Sequence, residues 1–309
     1  MNKRTLALPG LAMATALVAS SVSPVAAQAT TPIYLAASLT GENEVPVEGM
    51  KVGDPDGNAL AVFRIHGNRV DYAIRWHKVN APSGFHIHRG EEGENGEVRV
   101  PFFGEALPPQ LHAVKGTVIV KDTNLLARIL NNPGNWYANL HNAEFAGGAV
   151  RAQLHRVRPV ALESVLAHGF GRTLTTLADG RQEVPAPDTK VGDGNGRAAW
   201  LVQPADDVVW FASAWKKIDR PVMAHIHRAP KGKNGPVVVP FFEAKNGLPP
   251  SVNGLAGHAK TSEAVSQRIW KNPKNWYTNL HNAKFPGGAV RGQLYKGNDY
   301  EDTYEGNDW

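Results

Sequence analysis

Four stretches of the first half alternate apolar and polar residues with a period close to two: "NALAVFRIHG" (58–67), "RVDYAIRWHKV" (69–79), "AVKGTVIVKD" (113–122) and "GAVRAQLHRV" (148–157). They are rich in β-branched and aromatic residues and bounded by Gly or Asn, so each predicts a strand. "DTNLLARILNNP" (122–133) breaks that rhythm. It has a polar start, helical spacing of its leucines and a terminating proline, and predicts one short helix.

The pattern then recurs. "EVPVEGMKVGDPDGNA" (44–59) matches "EVPAPDTKVGDGNGRA" (183–198), and "HIHRGEEGENGEVRVPFF" (86–103) matches "HIHRAPKGKNGPVVVPFF" (225–242). "NNPGNWYANLHNAEFAGGAVRAQL" (131–154) matches "KNPKNWYTNLHNAKFPGGAVRGQL" (271–294), and "TSEAVSQRIWKNP" repeats the helix. An interval near 140 residues is a duplicated domain, not a solenoid unit. The expectation is all-β: two tandem Greek-key-like β-sandwich or barrel domains, each with seven or eight short strands and one short helix. Their predicted spans are 30–156 and 170–296. Residues 157–169 read as a linker with one helical turn, and 297–309 as an acidic flexible tail.

Composition supports this picture. The 309 residues are 42% hydrophobic and 20% charged, as a globular protein requires, and 31 Gly with 22 Pro suit a turn-rich β fold. Residues 1–29 read as a cleaved signal peptide: Lys3 and Arg4, then an alanine-rich apolar run, then small residues before Ala27 and Ala29. Pro9, Gly10 and Pro24 interrupt that run, so no membrane span is expected. A periplasmic or secreted location follows. The formal charge is +5, with acids concentrated in the tail and no Lys/Arg block interleaved with aromatics, so nucleic acid is not an expected partner. The absence of cysteine excludes disulfides and thiol nucleophiles and leaves nitrogen and oxygen as metal ligands. No GxSxG, HExxH, P-loop or dinucleotide fingerprint follows the leader.

The candidate chemistry is in "GFHIHRG" (84–90) and "MAHIHRA" (223–229). Residues i and i+2 of a strand share a face. His86 and His88 therefore point one way and Ile87 the other, into a core. His141 in "WYANLHNA" is the third candidate ligand, and the second copy supplies His225, His227 and His281. Three neutral imidazoles suit Cu(II), Cu(I) or Zn(II) and leave a coordination position open. The other histidines (His66, His77, His112, His155, His168 and His258) read as surface or core residues. Asn139, Asn142, Asn279 and Asn282 flank the third ligands and read equally as orienting partners or as turn caps. Trp136, Tyr137, Trp276 and Tyr277 read as core or pocket wall. Arg151 and Arg291 could draw anions to the metal or form a structural salt bridge, with Glu44 and Glu183 as candidate partners.

"GENEVP", "GFHIHRG" and "NPGNWYANLHNAEFAGGAVRAQL", with their counterparts, resemble the CHRD (chordin) domain family over about 35–155 and 174–295. The resemblance implies a β-rich extracellular module; in animal chordins it sits in antagonists of growth-factor signalling. The HxH strand also resembles the copper site of Cu,Zn superoxide dismutase. That likeness implies a sandwich of the dismutase type, with His86, His88, His141, His225, His227 and His281 as copper ligands. By a looser match, Arg151 and Arg291 would be the residues that guide the superoxide anion. The chain departs from that family in having no duplicated histidine to bridge copper to zinc, no zinc loop and no cysteine pair. The expected function is an exported copper-binding protein with dismutase-like redox activity; the alternatives are copper or zinc storage or delivery without turnover, and an extracellular scaffold or adhesion module with an unknown protein partner.

Overall fold

The computed structural model describes residues 31–167 and 173–297. The leader, most of the acidic tail and His168 lie outside the described residues.

In the first copy the strands are β1 (Ile33–Thr40), β2 (Asn58–His66), β3 (Arg69–His77), β4 (Pro82–Arg89), β5 (Val98–Phe103) and β6 (Leu111–Ile119), followed by helix α1 (Thr123–Asn131), β7 (Trp136–Asn142), β8 (Val150–Gln153) and β9 (His155–Val157). After helix α2 (Glu163–Leu166) the second copy repeats the order: β10 (Leu174–Asp179), β11 (Arg197–Ala205), β12 (Val208–Lys216), β13 (Pro221–Arg228), β14 (Val237–Glu243), β15 (Val252–Lys260), α3 (Glu263–Lys271), β16 (Trp276–Asn282), β17 (Phe285–Gln293) and β18 (Tyr295–Lys296). The alternating segments are strands β2, β3, β6 and β8–β9. The helix begins where its sequence signals: the Asp122 carboxylate accepts from Leu125 N, and Ser262 does the same for Val265 in α3.

Within one copy the antiparallel order is β5–β4–β7–β8–β1–β2–β3–β6. The sheet folds over to make a sandwich-like core. Phe63 on β2 meets Phe85 on β4 and Phe102 on β5, with ring centroids 5.9 and 5.3 Å apart. Tyr72 on β3 meets Phe102 at 4.7 Å. Neither β2 nor β3 pairs with β4 or β5, so the rings meet across the two layers, where such contacts add about 0.5–1.5 kcal/mol each beyond simple burial. The second copy fills the same space differently. Trp200 stands where the first copy has Ala61, and Ala224 where it has Phe85, an exchange of large for small that conserves volume.

The two copies also share one sheet, because β6 pairs antiparallel with β15. The register sets Val114 opposite Leu255, its own counterpart in the other copy. Contacts on either side are reciprocal: Thr117 N donates to Ser251 O (2.9 Å), and His258 N donates to Gln110 O (3.1 Å). This is the self-complementary geometry of a two-fold dimer, built within one chain. The tethering segment is packed as well. Leu162 and Val165 sit against Ala36, Val62 and Ala73, and Leu166 against Ala113 and Ala256.

Candidate metal centre

Strand β4 turns Phe85 and Ile87 into the core, where both are almost fully buried. His86 and His88 therefore stand on the outer face of the sandwich. Pairing of β4 with β7 puts Gly84 opposite His141, His86 opposite Asn139, and His88 opposite Tyr137. Three imidazoles thus share one patch of sheet, and each offers a ring nitrogen within 4.8 Å of those of the other two. His225, His227 and His281 repeat the arrangement on β13 and β16.

Loops cover the patch and set the ring tautomers. His88 Nδ1 lies 3.0 Å from Gly96 O, and His141 Nδ1 lies 3.1 Å from Ala146 O. A carbonyl only accepts, so both Nδ1 atoms carry the proton and both Nε2 lone pairs are free. In the second copy His227 Nδ1 meets Gly235 O and His281 Nδ1 meets Pro286 O, each at 2.9 Å. The Nε2 atoms of His88, His141, His227 and His281, with Nδ1 of His86 and His225, are buried without a partner. Six unpaired acceptors under loops are costly unless something binds them. An ion bonded at about 2.0–2.1 Å would hold each trio's nitrogens roughly 3.4 Å apart, a short movement of the side chains.

Electrostatics keep the rings neutral. Burial, then the neighbouring imidazoles, pushes His86 and His225 down to about 4. Burial also lowers His88, His141, His227 and His281, although each one's carbonyl partner opposes the shift. Glu44 and Glu183, beneath the "EVP" loops, move the other way. Burial raises them to about 7 and about 8, against the attraction of Arg151 and Arg291 and the amides of Asn139 and Asn279.

These shifts predict the pH profile of the metal-free protein. Unfolded histidines take up protons below about 6.5 that the folded trios resist, so stability falls as pH drops from there, with the His86 and His225 contributions lost through about 4. The two carboxyls stay protonated in the folded state above 4.5, so their contribution is lost as pH rises through about 7 to 8. Thermal melts between pH 4 and 9 should show a maximum between about pH 6 and 7, steeper on the acid side where six groups act. A plateau from pH 4 to 9 would contradict these environments.

Arg151 and Arg291 are buried, each 1% exposed. Arg151 donates to Glu91 O (3.1 Å), Glu94 O (2.6 Å) and Asn95 Oδ1 (3.2 Å), and its guanidinium lies 3.4 Å from the centre of the Tyr137 ring. His88 stacks on Tyr137 from the strand on the other side, at 4.8 Å. Arg291, Tyr277 and His227 repeat the stack. The guanidinium thus fastens the 91–97 loop rather than facing solvent. Among the described residues neither arginine makes an ion pair with Glu44 or Glu183; the attraction acts through space. Asn142 and Asn282 cap the turns before Phe145 and Phe285. Asn139 and Asn279 each donate to a glutamate at 3.4 Å.

Sequence reasoning missed Gly96, Gly235, Asn95 and Asn234. The amide of Asn95 donates to Val45 O and Pro46 O, tying the loop over His88 to the "EVP" segment, and Asn234 does the same for Val184 and Pro185. The signal was the "NG" shared by two loops that otherwise differ. A Cβ on Gly96 would fall 1.5 Å from Arg89 O, and one on Gly235 2.0 Å from Arg228 O. Gly96→Ala should therefore displace the carbonyl that orients His88 and weaken metal binding in the first copy by about 10–100-fold. Titration resolving the two sites checks this; an unchanged first site would refute it.

The CHRD domain model matches residues 35–154 and 174–294. No curated protein and no solved structure matches the chain. The chain belongs to the CHRD domain family, with two copies in tandem.

Proposed function

We propose that each CHRD copy of this chain binds one copper ion through its three imidazoles, and that the protein is exported and acts as a dismutase-like redox protein on a small oxygen species such as superoxide. The observation that carries this reading is the convergence of three buried, unpaired ring nitrogens, present twice with the same pair of carbonyl-fixed rings. Neutral nitrogen donors without thiolate or carboxylate favour copper, with zinc the alternative. Copper supplies one-electron chemistry by passing between Cu(II) and Cu(I). Backbone carbonyls hold two rings of each trio as Nδ1–H tautomers, the unpartnered ring nitrogens are buried, and three such donors would leave a bound ion a further coordination position. No helix among the described residues is long and apolar enough to cross a membrane.

Titrating metal-free protein with Cu(II) should give a d–d band and an electron-spin signal with nitrogen hyperfine structure, saturating at two ions per chain. Superoxide consumption by the loaded protein then separates turnover from a second reading, storage or delivery. The burial of Arg151 and Arg291 favours that second reading, because neither guanidinium is presented to an incoming anion. No rate above metal-free background would decide for it. A third reading, an extracellular scaffold with structural histidines, requires that copper leave the melting temperature unchanged.

A further inference from the structure

The two trios are alike inside and opposite outside. In the first copy the loop over the trio, 91–97, carries Glu91, Glu92, Glu94 and Glu97 and no base; its counterpart, 230–236, carries Lys231 and Lys233 and no acid. The loop whose carbonyl holds the third ligand carries Glu144 in one copy and Lys284 in the other. All these side chains are exposed. The remaining cover, 44–54 and 183–193, holds three acids and one lysine in each copy, so the contrast is confined to two loops.

The loops are fixed parts of each site. Gly96 O and Ala146 O orient the first trio, and Gly235 O and Pro286 O the second. Their charges are therefore held around the outer face of the sheet, which carries the rings, since the opposite face is core. In the first copy Lys51 is paired with Glu144 at 2.6 Å. In the second, Lys190 and Lys284 both stand over the Phe285 ring, at 4.9 and 5.4 Å, and among the described residues neither has an ion-pair partner. Charge of one sign around a recessed site raises the local concentration of the opposite ion and its association rate.

Resting on the copper reading above, we propose that the copies divide the work: the second centre admits a small anion as ligand or substrate, and the first captures the metal cation from solution. Inner ligands impose no such preference, because both trios present the same nitrogens.

The test uses full-length chains with one trio removed, either His86→Ala with His88→Ala or His225→Ala with His227→Ala, loaded with Cu(II) and titrated with azide. At about 10 mM salt, where the field extends roughly 30 Å, azide should bind the second-copy centre about tenfold more tightly. The ratio should shrink towards one near 0.5 M salt. Lys231→Glu with Lys233→Glu should remove the difference, and Glu91→Lys with Glu92→Lys should raise azide affinity at the first centre. Stopped-flow uptake of Cu(II) should show the reverse order, faster at the first centre. The charge-reversal changes also work with both trios intact, where a two-phase azide titration becomes one phase, so the test does not depend on the ligand-deletion chains folding. Equal azide affinities at low salt, or a ratio indifferent to charge reversal, would overturn the division of labour and leave both copper centres standing. Failure of either centre to take up copper in the intact chain would overturn the copper reading and this inference together.

Discussion

On the copper reading proposed above, the parent chain should take up two ions and a chain carrying both His86→Ala and His225→Ala should take up no tightly held copper. Each single substitution should leave one. Among the described residues no fourth histidine joins either trio to replace the lost imidazole. His86 lies opposite Asn139, whose amide nitrogen is directed to Glu44, and Glu44 itself is raised to about 7 and poorly suited to act as an anionic ligand. The two remaining rings are fixed to loop carbonyls and cannot swing to replace the lost donor. Binding to the folded state alone stabilises it by about 4 kcal/mol per site at a thousandfold excess over Kd. For a unit of this size, two such sites should raise Tm by on the order of 10 °C. The double variant should show no shift with copper and, with two desolvated rings fewer, a metal-free Tm no lower than that of the parent. Two ions and an undiminished shift in the double variant would remove the trios from the metal site.

How much of this was legible in the sequence differs from residue to residue. The period-two pattern located β2, β3 and β6, because burial on one face imposes that period whatever the fold. Ile87 between two histidines fixed the face of the HxH pair for the same reason. The third ligand was legible only through duplication: His141 and His281 were kept while His66, His77 and His112 have no histidine counterpart. The features sequence did not disclose are carried by the backbone. Gly96 O and Ala146 O act as carbonyls, and any residue supplies a carbonyl. The burial of Arg151 was hidden because its acceptors are backbone atoms of a loop 60 residues away. The tethering segment was read as a linker, yet Leu162, Val165 and Leu166 have the i, i+3, i+4 spacing of a buried helical face, and their burial follows it.

The pairing of β6 with β15 was equally silent, and it supports the second large prediction. Gly116→Val should split one cooperative unfolding transition into two. The added Cβ would meet Ser251 O at 2.1 Å and Tyr72 Oη at 2.7 Å. Neither can withdraw easily: Ser251 O already accepts from Thr117 N, and the Tyr72 hydroxyl is bonded to Ser251 Oγ at 2.9 Å, which in turn donates to Phe102 O. Backbone would have to move, separating β6 from β15 and freeing the buried apolar side chains at the junction. Overpacking of that kind costs about 3 kcal/mol or more when no flexible side chain can absorb it. Gly257, the counterpart of Gly116, is confined the same way by Gln110 O at 2.5 Å, so Gly257→Val should act alike. Copper stoichiometry should remain two, because the ligands lie on β4 and β7 and on β13 and β16, within each copy's own sandwich. Urea unfolding followed by tryptophan fluorescence resolves the outcome. A single transition at the parent midpoint would show that the shared sheet contributes nothing to stability, and loss of copper from both copies would show that the trios depend on the junction instead of on their own loops.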